Sequence, residues 1–433
     1  MANDVIVLRS VEEAQAEMLS HFHALGTERL PLLGALGRTL ARDVRADMDV
    51  PPFANSAMDG YAVRADDLAG TAETVLDVVG EVPAGGVAAR MVGPGEAIRI
   101  MTGAPLPGGA DTVVPFEETD EGRVGARREG KVAIFGRHGR GSNVRAAGED
   151  LQAGAVVVPR RTVVTPAAIG VLASVGAAEL EVFRRPRVAI LATGDELVDV
   201  GEKPGPGQIR NSNGYSNAAQ VLAAGGEPLQ LPIARDTEAE LQAQLRAGLD
   251  WGADLFLTSG GVSVGDYDVV KRVLQSMGDM QFWRVKMKPG KPIAFGHIAG
   301  VPLLGLPGNP VSAMVGFELF GRPALLKMQG RTALFRPVVP VTFEGRIRDR
   351  ADRRQYVRVR VEQRGGAFIA WLTGEQGSGV LSSMVHADGL LVVPEGMTEV
   401  EPGARLDVLM LNWPEVEPGS TDAPAELAGE DCC

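Results

Sequence analysis

Cysteine is all but absent from the body of this chain: of 433 residues, only Cys432 and Cys433 carry a thiol, and both stand at the very end. That excludes a disulfide framework and a thiolate-held zinc within the folded body, and the terminal pair reads as the end of a solvated tail. Histidine is nearly as scarce, five in all, with no His-x-x-x-His pair at helical spacing. Any metal must then be held by carboxylates, which favours Mg2+ over zinc. No apolar run approaches the ~18 residues of a membrane-spanning helix. The start, Met1-Ala2-Asn3-Asp4-Val5, has no basic region followed by an apolar block. The expectation is a cytoplasmic protein with no membrane partner.

Basic charge is also in deficit, with 43 Lys and Arg against 55 Asp and Glu, a net charge of −12. An acidic body lacks the broad basic face that nucleic acid requires. Half of the excess lies in residues 414–433, which hold six carboxylates and no basic residue. Rich also in Pro, Gly and Ala, that tail is expected to be disordered.

What is present suffices for several cores: 45% of the residues are apolar, and the length corresponds to about three domains. Ser10 followed by Glu13 forms a capping box, and Val11, Ala14, Met18, Phe22 and Leu25 keep helical spacing. A second helix is expected over 31–43. From 48 to 142 the texture turns to many Gly and Pro with short β-branched runs, a β-rich insert. Helical character returns in 143–182, notably over 166–175. From 187 to 328 strands and helices alternate, a doubly wound α/β unit. Its helices are expected over 213–224 with Ser212 as cap, over 237–249 with Asp236 as cap, after Gly265, and from 309 to 327. Alternating strands over 356–361, 367–372, 389–393 and 405–411 then suggest a small β-barrel or sandwich. The fold class is therefore multidomain α/β: a helical linking domain (8–47 plus 143–182), an inserted β-rich domain (48–142), a central α/β domain (183–330), a C-terminal β-barrel-like domain (331–413) and the acidic tail (414–433).

Four loops carry most of the chemistry. Thr193-Gly194-Asp195-Glu196, Ser259-Gly260-Gly261-Val262-Ser263-Val264-Gly265, Lys288-Pro289-Gly290-Lys291-Pro292 and Leu306-Pro307-Gly308-Asn309-Pro310 each follow a short apolar run (188–192, 255–258, 282–287, 301–304). In an open parallel α/β sheet, ligands bind beyond the carboxyl ends of the strands, so the four loops are expected at one sheet edge. Consecutive glycines let backbone approach an anion, and hydroxyls and a following helix add donors. Neither the P-loop pattern nor the dinucleotide Gly-x-Gly-x-x-Gly pattern occurs. Between 271 and 291, six basic residues face one carboxylate, Asp279, a local inversion that suits an anion site. Asp195, Glu196, Asp236 and Asp268 fall in or near strand-end turns, where carboxylates beside lysines fit Mg2+ shared with phosphate oxygens; Asp236 taken alone reads as a helix cap. In the segment Pro51-Pro52-Phe53-Ala54-Asn55-Ser56-Ala57-Met58-Asp59-Gly60-Tyr61, Phe53, Met58 and Tyr61 read as packing anchors, and Asp59 as the residue with a chemical role.

With Asn55-Ser56-Ala57-Met58-Asp59-Gly60-Tyr61-Ala62, Met101-Thr102-Gly103-Ala104-Pro105-Leu106-Pro107, Gly148-Glu149-Asp150, the four loops above and Gly377-Ser378-Gly379 in this order, the chain resembles the molybdopterin molybdenumtransferase family, the enzymes related to the C-terminal domain of gephyrin. The resemblance spans roughly residues 8–412. It implies a four-domain, elongated homodimer that takes adenylylated molybdopterin, binds molybdate, releases AMP and inserts molybdenum into the dithiolene with Mg2+ assisting. It implies transient contact with the adenylyltransferase that supplies the substrate and with enzymes that accept the cofactor. By motif match, Asp59, Thr102, Asp150, Glu196 and Asp268 are the catalytic candidates; Asp195, Glu196, Asp236 and Asp268 are the metal candidates. Ser259, Gly260, Gly261, Ser263, Lys288, Lys291, Pro307, Asn309 and Pro310 would line the substrate pocket. Two other readings are an adenylyltransferase of the same pathway, against which the Asp59 insert and the C-terminal β domain argue, and a gephyrin-like scaffold without catalysis.

Overall fold

The computed structural model describes residues 8–68, 73–124, 129–260, 269–350 and 352–413. The chain divides into two units, Met1–Glu28 with Phe183–Cys433, and Arg29–Val182.

The first unit is built on a seven-stranded sheet in the order Leu8–Arg9, Gly278–Val285, Pro292–Ile298, Val301–Leu306, Leu255–Ser259, Arg187–Ala192, Glu227–Gln230. The last four of these run parallel. Pro292–Ile298 is antiparallel to both of its neighbours, so the expected parallel sheet is in fact mixed: two tight connections there leave no room for the helix that a parallel crossover needs. Gly278–Val285 regains the common direction, and the carboxyl ends of Arg187–Ala192, Leu255–Ser259, Gly278–Val285 and Val301–Leu306 therefore share one edge.

Period-two alternation buries both faces of these strands. Val188, Ile190, Leu255 and Leu257 meet the Val11–Ser20, Ser212–Ala223 and Pro310–Gly316 helices. Ala189, Leu191 and Phe256 meet Leu241 and Leu245 of the Glu238–Trp251 helix, with Val273 and Leu274. Each fully buried large side chain of this kind stabilises by about 1.5–3 kcal/mol relative to exposure. The Ser10–Glu13 capping box is formed, so Val11–Ser20 starts where the sequence predicts, and its Val11, Ala14 and Met18 pack on this core. The caps at two other helices differ from expectation by one residue. Asn211, not Ser212, accepts from the Gly214 amide; Thr237, not Asp236, accepts from the Glu240 amide. In each case the capping side-chain oxygen accepts from the amide three residues on, as the cap position demands.

A closed five-stranded barrel follows. Its strands run Arg354–Arg364, Ala367–Leu372, Val338–Phe343, Ala404–Met410 and Gly389–Val393, which pairs back onto the first. Closure removes the exposed edges a sandwich would leave. Phe343, Val359, Val361, Leu391 and Val408 fill it. Met287–Lys288 joins the barrel rim in parallel register, Lys288 opposite Gln355.

The second unit holds a five-stranded sheet in the order Thr112–Pro115, Gly60–Val63, Glu96–Ile100, Glu73–Val82, Lys131–Phe135, which is the β-rich content expected of 48–142. Outside it, the helix Pro166–Ser174 is capped by Thr165. The expected helix over 31–43 does not form. Pro31 is extended, Leu32–Ala35 makes a single 3-10 turn, Gly37 takes φ 74°, and Thr39 and Leu40 bridge to Val163 and Val182. Gly34 and Gly37 break the helical pattern locally, and pairing with strands distant in sequence wins.

Candidate functional site: a cationic cleft at the sheet edge

Strand-end loops and barrel together enclose a cleft of about 920 Å³. Gly260, Lys288, Lys291, Pro307 and Asn309, all selected from sequence, line it. Pro310 opens the helix that leaves it, behind the Asn309 cap position, and Ser259 is buried at the end of its strand. The Gly260 amide donates to the Leu306 carbonyl at 3.0 Å, so two of the loops are hydrogen-bonded side by side. Asn213 reaches across to the Gly308 carbonyl at 2.7 Å. Gly261, Ser263 and Asp268 lie outside the described residues.

The barrel supplies what the sequence reading missed. Arg346, Arg348, Arg353 and Arg358 line the same cleft, with Gln355, Gln376 and Ser378; of these only Ser378 belonged to a recognised motif. Six cationic side chains thus face one carboxylate, Asp349, among the lining residues. The signal was present: between 346 and 360 seven arginines stand against two aspartates, the same inversion that marked 271–291. Asp349 forms an ion pair with Lys288. Burial works to raise the Asp349 pKa, but the Lys288 ammonium and the Arg350 amide outweigh it and hold the carboxyl below its ordinary value. Arg346 pairs with Glu401 at 2.6 Å, Arg348 with Glu399 at 2.6 Å and Arg353 with Asp352 at 3.2 Å. Among the described residues Lys291 has no ion-pair partner, so its charge is available to a ligand.

The acidic candidates occupy the adjoining loop. Gly194 adopts φ 141°, and a β-carbon there would stand 2.4 Å from the Glu196 carboxylate, so only glycine lets Glu196 fold back over the turn. The Asp236 amide donates to Asp195 Oδ1 at 3.4 Å, and Arg235 donates to the Asp195 carbonyl at 3.1 Å. Asp195 and Asp236 are thereby brought together. A β-carbon on Gly260 would lie 3.7 Å from the Thr193 hydroxyl, which places this turn beside the cleft. Among the described residues no three His, Cys, Asp or Glu side chains form a group able to hold a metal. Mg2+, however, is commonly held by one or two carboxylates plus phosphate oxygens and water. The all-oxygen donor set of Asp195, Glu196 and Asp236 fits such a shared site.

In the second unit, Asp59 and Thr102 meet directly. Asp59 Oδ1 accepts from the Thr102 amide at 2.6 Å and from its hydroxyl at 2.8 Å. The amide first, and the hydroxyl second, hold the Asp59 pKa below its ordinary value. Gly60 is obligatory beside it, since a β-carbon would stand 2.0 Å from the Val114 carbonyl oxygen. Asp150 is exposed, its amide donating to the Val50 carbonyl at 3.0 Å, and shows no hydrogen bond to this pair. Tyr61 is a packing anchor at 1% exposure, but Phe53 and Met58 are not: they stand 44% and 40% exposed, on the surface turns flanking Asp59 rather than in the sheet.

Comparison with known proteins accounts for most of the chain. Residues 9–176 match the MoeA N-terminal region (domain I and II), 189–327 a probable molybdopterin binding domain, and 340–411 the MoeA C-terminal region (domain IV). The chain is 40% identical over 411 residues to molybdopterin molybdenumtransferase 2 of Mycobacterium tuberculosis, covering 93% of this chain and 99% of that one. It is 38% identical over 397 residues to molybdopterin molybdenumtransferase of a Nostoc species, covering 90% and 89%. A crystal structure of the molybdopterin biosynthesis protein of Pyrococcus horikoshii superposes with a TM-score of 0.78 at 31% identity, covering 93% of this chain and 99% of the other. The chain belongs to the molybdopterin molybdenumtransferase family.

Proposed function

We propose that this transferase of molybdenum cofactor biosynthesis uses the cationic cleft to take adenylylated molybdopterin and molybdate, release AMP and insert molybdenum into the dithiolene. The observation that carries this reading is the charge imbalance of the cleft, six cations to one carboxylate in a protein of net charge −12. A tetrahedral dianion and a pyrophosphate both require neutralisation of several oxygens at once, and fixed cations with glycine backbone amides supply it. In the reaction water attacks the adenylate phosphorus, the phosphoanhydride P–O bond breaks, the molybdopterin phosphate departs with the electron pair, and the adenylyl group, having gained the water oxygen and lost its proton to solvent, is released as AMP. Lys288 and Lys291 would hold the anionic oxygens, and Gly260 and Gly308 would allow close backbone approach. Asp195, Glu196 and Asp236 would orient the nucleophile and would hold Mg2+, with Asp268. Bound there, Mg2+ would supply charge neutralisation at the phosphate oxygens. Asp59 and Thr102 would serve the same reaction from the 48–142 insert of a cytoplasmic homodimer, and Asp150 from the part formed by 8–47 with 143–182; the remaining parts would be 183–330 and 331–413.

The test is direct. Purified protein incubated with adenylylated molybdopterin and Mg2+ should release AMP when molybdate is added. AMP release without molybdate dependence, or none, would remove this reading, and formation of the adenylylated compound from ATP would favour the adenylyltransferase.

A further inference from the structure

The Gly308–Asn309 peptide is held from outside the cleft. Gly308 and Asn309 both line the cavity; Asn213, which does not, donates through Nδ2 to the Gly308 carbonyl at 2.7 Å. Asn213 is the second residue of the Ser212–Ala223 helix, whose start is fixed by the Asn211 cap on the Gly214 amide at 2.9 Å. Its approach to Gly308 is therefore set by the helix. Asn213 Oδ1 is buried and has no partner, so among the described residues the side chain is committed to this one bond. A buried unpaired acceptor is rare in folded proteins and costly; here it accompanies a side chain oriented for its donor.

In a trans peptide the carbonyl and the following N–H point in opposite directions, and the Gly308–Asn309 bond is trans. Drawing the Gly308 carbonyl toward the Ser212–Ala223 helix therefore turns the Asn309 N–H away from that helix, to the cavity side. That N–H has no protein acceptor among the described residues. Pro310, next along, carries no N–H, and Asn309 makes no side-chain capping bond of its own. Gly308 has no side chain to restrain the rotation of this peptide plane; Asn213 supplies the restraint. Gly260 packs beside it: its amide donates to the Leu306 carbonyl at 3.0 Å, and a β-carbon on Gly308 would lie 3.8 Å from the Gly260 α-carbon.

We infer that Asn213 is a positioning residue for the anionic substrate: by holding the Gly308 carbonyl it aims the Asn309 N–H at an oxyanion in the cleft. This rests on the reading of the cleft as an anion site and adds a neutral donor to its charged ones. Asn213 touches neither the substrate nor the reacting atoms. Gln220, seven residues on and so on the same helix face, makes the contrasting bond. It donates to the Met314 carbonyl at 3.1 Å, which ties the same helix to Pro310–Gly316 but reaches no residue of the cleft. Loss of a tie between helices and loss of peptide orientation are thereby separable.

The experiment is titration calorimetry of the full chain with sodium molybdate, for wild type, Asn213→Ala, Asn213→Ser (too short to reach Gly308) and Gln220→Ala, with melting temperatures recorded for each. On wild type carrying isotope-labelled asparagine, the Asn309 amide resonance is followed through the same titration. The expected result is a downfield shift of that amide as molybdate binds, and a dissociation constant weakened about tenfold in both Asn213 variants. Gln220→Ala should lower the melting temperature yet bind molybdate within about twofold of wild type. Wild-type affinity in the Asn213 variants would overturn the inference, as would an Asn309 amide that stays in place while wild type binds. Equal weakening in Gln220→Ala would reduce Asn213 to a tie between helices and overturn it too. Should Asn213→Ala not fold, Asn213→Ser decides; should neither fold, the Asn309 resonance of the wild type decides. Failure of wild type to bind molybdate would instead remove the anion-site reading and this inference with it.

Discussion

Asp59 and Thr102 form a closed pair: one carboxylate oxygen of Asp59 takes both the amide and the hydroxyl of Thr102, at 2.6 and 2.8 Å. Forty-three residues separate them in sequence. One oxygen is thereby fixed and its carboxylate kept ionised, a group held ready rather than a surface charge free to rotate.

Replacing Asp59 by asparagine keeps the shape and removes the charge. Folding should be unchanged by circular dichroism and melting temperature, while AMP release should fall by about 10²- to 10⁴-fold if Asp59 serves acid–base or electrostatic work. A wild-type rate in Asp59→Asn would take Asp59 out of the mechanism.

The titration of Asp59 has a defined sign. Its pKa is depressed, so its favourable interaction with Thr102 is fully present above the unfolded value of about 3.9 and is lost as pH falls through the lower folded value. A carboxyl NMR titration should place Asp59 below that ordinary value, and Thr102→Val, which deletes only the hydroxyl, should move it upward. An unchanged midpoint in Thr102→Val would leave the backbone amide as the sole cause.

Lys291 and Lys288 should respond differently to loss of charge. Lys291 has no ion-pair partner among the described residues, so Lys291→Gln should weaken molybdate binding about tenfold or more with little change in stability. Lys288→Gln also strips Asp349 of its partner. Because both groups are substantially solvated, that pair itself contributes only a modest stabilisation; the expected deficit is again in binding, partly restored in Lys288→Gln/Asp349→Asn. Binding constants and melts of the four proteins test both statements.

Metal removal gives a separate check. EDTA should abolish AMP release and added Mg2+ should restore it, and Asp195→Asn with Asp236→Asn should raise the Mg2+ needed for half-maximal rate. Full activity in EDTA would exclude a metal from the step.

Much of this was legible in the chain. The strands ending at Ala192 and Ser259 were placed at one edge by the alternation of strands and helices, and the continuous apolar runs 188–192 and 255–257 mark them as buried on both faces. The Ser10 capping box was local and so readable. The 31–43 segment was not: its Thr39 and Leu40 partners, Val163 and Val182, lie more than a hundred residues away, and local helical pattern cannot report such pairing. Arg358 was hidden for a different reason. A strand arginine looks like a solvated charge until closure of the barrel buries it against the 375–378 loop. The parallel sheet was misjudged because a tight connection and a helical crossover leave similar apolar runs on either side.

A crystal soaked with molybdate and AMP, with molybdenum located by its anomalous scattering, tests the cationic cleft most directly. The expected peak lies in the 920 Å³ cleft, between the Lys288–Lys291 loop and the barrel wall of Arg353 and Arg358. A molybdenum peak elsewhere, with that cleft empty at saturating molybdate, would contradict the assignment of the cationic cleft as the substrate site.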